Sequence, residues 1–207
     1  MIPSTGLGLR ACKGGAVVVG VAIEQGEPRV LLSMFLNTHE EGDRLSSEPY
    51  RVAAEMASNA QGTNADMTAA VVEGRRRQNA LAAANLRRLL DGLAHIPRRR
   101  IVAGLLVNRA AWITDLLAYS LAFADHVPVA EGLGVRDALR FAFDRCGIEA
   151  IELDEKSLRD KAAALLDRSE ADIEARLKAL GAQAGKPWRK EQKSACLAAW
   201  VAAAGQE

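Results

Sequence analysis

Residues 16–23 constrain this chain more than any other segment. Val17, Val19, Val21 and Ile23 occupy one side of a period-two pattern, with Ala16, Gly20 and Ala22 on the other. β-Branched residues in strict alternation favour an extended strand, because they pack well on a pleated surface and are stiff in a helix. The small residues opposite imply that the second face is closely covered too. Gln25-Gly26-Glu27-Pro28 then reads as a turn and residues 29–36 as a second strand, so the pair predicts an antiparallel hairpin. Upstream, residues 6–10 predict a short first strand joined through a Lys13-Gly14-Gly15 turn.

Beyond His39 the period changes. Residues 49–57 read as a helix and 58–66 as a polar loop. A long helix follows, with Leu86, Leu89, Leu90 and Leu93 at helical spacing, ended by Gly92 and Pro97. Residues 101–107 form a continuous apolar run, the signature of a strand buried on both faces. Two helical patterns come next, Ile113/Leu116/Leu117/Leu121 and Val135/Leu139/Phe143/Cys146, the second stopped by Gly147. Residues 148–153 read as a further strand. Ser169 with Asp172 opens a helix carrying Ile173, Leu177 and Leu180, broken by residues 181–185. Pro187 restarts a final helix through Trp200 that ends near Gly205. A hairpin followed by strands separated by helices predicts an α/β fold, a mixed sheet with helices on both faces.

Composition narrows the classes. The 207 residues fit one domain, 1–207, with enough apolar content (49%) for a sizeable core. Aromatics are only 4%, so Ala, Leu and Val must fill it. A net charge of +1 excludes a strongly basic coat but leaves room for local basic patches. No apolar run approaches the roughly 18–20 residues that span a bilayer, and the first residues do not read as a secretory signal. Cys12, Cys146 and Cys196 are odd in number and widely spaced, which argues against a disulfide framework or zinc site and for a reducing, cytoplasmic setting.

Taken in order, the segment Gly6-Leu-Gly-Leu-Arg10, the Lys13-Gly14-Gly15 turn and the hairpin of residues 17–38 resemble the first three strands of the ribonuclease H-like superfamily, within it the RuvC type of Holliday-junction resolvase. Residues 101–108 are similar to its fourth strand. Glu131-Gly-Leu-Gly-Val135 and residues 148–156 are similar to its later helix and fifth strand. Lys190-Glu-Gln-Lys-Ser-Ala-Cys-Leu-Ala-Ala-Trp200 resembles its closing helix.

The resemblance implies a centre in which carboxylates from separate strands and the final helix hold two divalent metals. In this chain the family's first-strand Asp falls on Arg10, or on Ala22 if the second strand is taken as the first. The fourth-strand Glu falls near Val107 or Asn108. Glu191 stands at the first acid of the last helix and Ser194 at the second. One acid of four does not make a two-metal site, so conventional nuclease activity is not expected.

Two groups of candidate residues remain. Asn108 and Arg109 follow the fourth strand and Asp154 and Glu155 close the fifth, at the carboxyl edge where open α/β sheets bind ligands. Each also has a structural reading, Arg109 as a partner of Asp115 and the acids as a solvated strand end. Lys186, Trp188, Arg189, Lys190 and Lys193 combine positive charge with a stacking face, the composition of a nucleic-acid contact. Arg75-Arg76-Arg77 and Arg98-Arg99-Arg100 are basic too, although consecutive arginines on a helix splay around it. Glu131-Gly132-Leu133-Gly134 reads as a helix entry, a weak anion site opposed by Glu131 itself.

Catalytic signals are sparse. His39, His95 and His126 have no paired ligand spacing, Asp125 beside His126 is a bare acid–base pair, and Cys12 has no identifiable base. No catalytic residue is assigned, and no metal or cofactor is expected. Three functions stay open: an altered ribonuclease H-like protein that binds structured DNA or RNA; an interaction scaffold, with self-association through Trp112 or Trp200; and a small-molecule enzyme using Asn108, Arg109, Asp154 and Glu155.

Overall fold

The computed structural model describes residues 4–60, 62–94, 100–108, 110 and 112–205. It opens with a three-stranded meander, β1 (Ser4–Cys12), β2 (Gly15–Glu24) and β3 (Glu27–Asn37), paired antiparallel throughout. The β2–β3 turn is tighter than the sequence pattern implies. Glu24 pairs with Glu27 and Ile23 with Pro28, leaving a two-residue loop in which Gln25 (φ 55°) and Gly26 (φ 78°) are both left-handed. That is the turn geometry whose twist matches a hairpin. Pro28 belongs to the strand, and β3 can hold it because β3 is a sheet edge.

Three helices follow: α1 (Arg44–Ser47), α2 (Pro49–Ser58) and α3 (Asn64–Leu93). Strand β4 (Arg100–Val107) then lies parallel to β1. α4 (Leu116–Ala122), a short 3-10 turn and α5 (Val127–Cys146) lead to β5 (Glu149–Asp154), parallel to β4. The chain closes with α6 (Leu158–Leu166), α7 (Glu170–Ala184) and α8 (Lys190–Ala204). The sheet order is β3-β2-β1-β4-β5, a mixed sheet with helices on both faces, as expected.

Alternation along the strands sorts the core into two layers. Leu7, Leu9, Val18 and Leu105 face α3 and α5, where Leu86, Leu139 and Phe143 meet them. Val17, Val19, Val21 and Leu106 face the opposite way, towards α6, α7 and α8, against Ile173, Leu177, Cys196 and Trp200. β2 is buried on both faces, in keeping with its pattern of valines backed by small residues. A smaller cluster of Tyr50, Met67, Val71 and Val127 ties α2 to α3 and α5. Among the described residues no helix is long and apolar enough to cross a membrane.

Several boundaries differ from the sequence reading. α5 begins at Val127, with Pro128 in its first turn, so Gly132 and Gly134 lie inside the helix and Glu131 marks no helix entry. Gly134 is instead a contact glycine, where a Cβ would stand 3.1 Å from the Tyr50 ring. Gly92 and Gly181 lie within α3 and α7 and do not end them. α6 goes beyond the sequence reading: half of its apolar residues are alanines, which carry little periodic signal. His95, Arg98, Arg99 and Arg109 lie outside the described residues.

Candidate functional site

The carboxyl ends of β1, β4 and β5 lie side by side, and α8 brings its amino end to the same edge. Three glycines explain this placement. A Cβ on Gly6 would fall 1.8 Å from the Ala199 carbonyl oxygen, one on Gly8 1.8 Å from that of Ala195, and one on Gly104 2.7 Å from that of Ala198. Only bare backbone on β1 and β4 lets α8 lie this close. The helix meets it with small residues, since Ala195, Ala198, Ala199, Ala202 and Ala203 are all fully buried.

The same side of β1 continues to Arg10 and the same line of α8 runs back to Glu191. Arg10 Nη1 is 4.0 Å from Glu191 Oε1, and Arg10 Nε donates to Glu155 Oε1 at 2.8 Å. Glu155 is fixed by its backbone N–H, which donates to the Val107 carbonyl at 2.8 Å and so ties the end of β5 to the end of β4. The centre is therefore a guanidinium flanked by two carboxylates, partly screened from solvent.

This donor set does not fit a pair of divalent metals. Mg²⁺ requires oxygen ligands in near-octahedral geometry. Here the end of β1 presents the cation Arg10, and both nearby carboxylates, Glu155 and Glu191, already face it. Among the described residues, no group of three or more His, Cys, Asp or Glu is arranged to hold a metal. Cys12, also near Arg10, has its thiol pushed up by burial, against the opposing pull of the Val17 backbone and Arg10. A thiol held in that form is a poor nucleophile.

Two open grooves meet at Asn108, the residue just beyond β4. The larger, of about 1050 Å³, runs between α3, α4 and α5 and is lined by Arg75, Arg76, Arg136 and Arg140 along with Asp115, Asp137 and Glu152. The smaller, of about 770 Å³, lies between the end of β5, α6 and the start of α8. It carries Lys156, Arg159, Arg189, Lys190 and Lys193 against the single acid Glu155. In a chain of net charge +1, this edge gathers a marked local excess of positive charge.

The two groups of sequence candidates thus converge. Asn108 and Glu155 from the first share the smaller groove with Trp188, Arg189, Lys190 and Lys193 from the second. Asp154 does not line it; its carboxylate accepts from the Ser157 hydroxyl at 3.3 Å. Lys186 is exposed outside the groove, and Arg109 is outside the described residues. Lys193 is paired, Nζ to Glu174 Oε1 at 2.5 Å, with Arg159 on the same carboxylate.

Trp188 is half-buried over Gly181, and its indole N–H donates to the Leu177 carbonyl at 3.1 Å, so it clamps α7 to the start of α8 while still lining the smaller groove. The remaining motifs are absorbed locally. Arg76 and Arg77 pair with Glu73, Arg75 with Asp137 and Arg100 with Glu149. His126 Nδ1 sits 2.8 Å from the Tyr119 hydroxyl and His39 Nδ1 2.8 Å from the Gly14 carbonyl. Trp112 is 69% exposed, while Trp200 is buried and so has no face for self-association. Sequence reasoning missed Arg136 and Arg140. Their spacing of four on one helix was the available signal.

No family model matches the chain, and no curated protein matches it significantly. Among solved structures, the chain is similar to the Thermus thermophilus RuvC structure, with a TM-score of 0.53 at 11% identity, covering 98% of this chain and 95% of that one. It is similar also to T. thermophilus RuvC in complex with Holliday junction substrate, with a TM-score of 0.52 at 13% identity, covering 98% and 94%. The fold is accordingly a mixed five-stranded α/β fold similar to that of the RuvC structures.

Proposed function

We propose that this chain, acting as a single domain, binds structured DNA or RNA along the carboxyl edge of its sheet and does not cut it by a two-metal mechanism. The observation that carries the reading is the cationic smaller groove, which meets the larger, mixed-charge groove at Asn108. Lys156, Arg189 and Lys190 are exposed there and have no ion-pair partner among the described residues. Such free charges displace counterions from a phosphate backbone and give salt-dependent affinity. The fold likeness to a RuvC solved with a Holliday junction substrate supports the same class of partner. The Arg10–Glu155–Glu191 arrangement supports binding without metal-assisted hydrolysis, since a guanidinium stands between the carboxylates that would have to hold the metal ions.

The test is the triple variant Lys156→Ala/Arg189→Ala/Lys190→Ala. Its affinity for a labelled four-way junction is expected to fall at least tenfold at moderate salt, about 1.4 kcal/mol, with a shallower salt dependence. An unchanged salt slope would remove this edge as the interface.

A further inference from the structure

Each arginine of the larger groove has a carboxylate to pair with, apart from Arg136. Arg75 pairs with Asp137 at 2.9 Å, Arg76 with Glu73 at 2.7 Å, and Arg140 with Asp137 and Glu152 at 2.7 and 2.6 Å. Arg136 has no carboxylate within ion-pair distance among the described residues. Its Nη1 donates to Asn108 Oδ1 at 2.5 Å, and its Nε is buried with no acceptor. A buried donor without a partner carries a desolvation cost that native proteins ordinarily avoid.

The surroundings sharpen the imbalance. Burial, then the neighbouring charges of Arg140 and Arg10, depress the pKa of Arg136, while Glu155 and Glu152 offset this from a distance. The position is thus short of one negative charge. It also lies where the two grooves join, because Asn108, its hydrogen-bond partner, lines both.

We propose that Arg136, with Arg10 beside it, is a metal-independent receptor for one phosphodiester group of a bound strand. This rests on the nucleic-acid reading above and adds the contact that reading lacks. A guanidinium offers parallel N–H donors that match two oxygens of a phosphate, and Arg136, with Nη1 on Asn108 and Nε buried, has Nη2 without a partner among the described residues. Arg10 spends Nε on Glu155 and turns Nη1 to Glu191, so it contributes its charge beside Arg136. The charge of the ligand follows from the neighbours. Glu155 and Glu191 disfavour a phosphomonoester dianion beside Arg10, whereas a diester brings only one negative charge. Two open grooves leading away from the site suit a group within a polymer better than an isolated small anion.

The test uses the full chain with ¹⁵N-labelled arginine and dimethyl phosphate, the simplest diester monoanion, in EDTA. The Arg136 Nε–H resonance is expected to shift saturably in the millimolar range, and the shift to vanish in Arg10→Gln if the two residues act together. Arg136→Lys keeps the charge and the fold but loses the fork; it is expected to bind a four-way junction about tenfold more weakly, roughly 1.4 kcal/mol. A resonance that does not move, or an Arg136→Lys chain that binds junction as tightly as the parent, would overturn this receptor while leaving the broader interface standing. Saturable binding of dimethyl phosphate by a chain that binds no nucleic acid would support the receptor and overturn the function it is assigned to.

Discussion

Arg10 lies 4.0 Å from Glu191 because β1 and α8 advance in step as they run antiparallel. Two residues of strand rise about 6.7 Å and four residues of helix about 6 Å. Gly6 meets Ala199, Gly8 meets Ala195, and the next step brings Arg10 to Glu191. The charge at the centre is thus set by the same register that packs the helix on the sheet.

That register makes Gly8 a position where a single methyl group is disruptive. Gly8→Ala is expected to cost roughly 3 kcal/mol by overpacking, read from the urea midpoint. Gly92→Ala, with open space around its Cβ inside α3, is expected to gain about 0.5–1 kcal/mol from helix propensity. Equal effects at the two sites would contradict the contact-glycine account.

Much of the fold was legible and little of the centre was. The alternation of Val17, Val19, Val21 and Ile23 and the run before Val107 identify buried strands directly. α8 reads as a helix, but its burial on nearly all sides leaves no amphipathic stripe to show which face meets the sheet. The amino end of α5 was placed too late, because Gly132 and Gly134 look like an entry loop until Tyr50 is seen against the second. The Arg10–Glu155 pair joins residues 145 apart and leaves no local pattern. The packing of Trp188 is not legible either, because the glycine beneath it, Gly181, is seven residues away and reads as a breaker.

Glu131 gives the fold a pH dependence. It is 5% exposed, accepts from the Arg51 N–H at 2.9 Å at the start of α2, and is raised to about 7, first by burial, with Glu48 adding to the rise. Because the folded value lies above the unfolded one, the fold favours the protonated acid. Stability falls as pH rises from about 4.5 to 7 and then levels, on the order of 3 kcal/mol in all at the linkage slope of about 1.4 kcal/mol per pH unit. Glu131→Gln is expected to flatten this part of the profile and to be more stable than the parent at pH 8. A parent whose stability rises over that interval, with other groups unchanged, would contradict the assignment.

Replacing Arg10 tests why the centre lacks metal affinity. Arg10→Asp places a third carboxylate near Glu155 and Glu191, so the variant is expected to lose stability in EDTA and regain it with Mn²⁺ or Mg²⁺ by linkage. The parent is expected to show no such metal-dependent shift in its thermal midpoint. A parent that gains as much as Arg10→Asp would mean that the ion pair does not govern metal affinity.

Trp188 separates packing from recognition. Trp188→Phe removes the indole donor to the Leu177 carbonyl and is expected to cost about 1 kcal/mol of stability. Its junction affinity below the unfolding transition should equal that of the parent. A loss of affinity for single strands in a fully folded variant would restore a stacking role.

The most direct test of the central claim is fluorescence anisotropy of a labelled four-way junction, duplex and single strand at two salt concentrations, each in EDTA and in Mg²⁺, followed by a denaturing gel. The account predicts salt-sensitive binding with preference for the structured substrate, no gain in affinity from Mg²⁺, and intact strands. No binding at low salt, or strands cut only when Mg²⁺ is present, would contradict it.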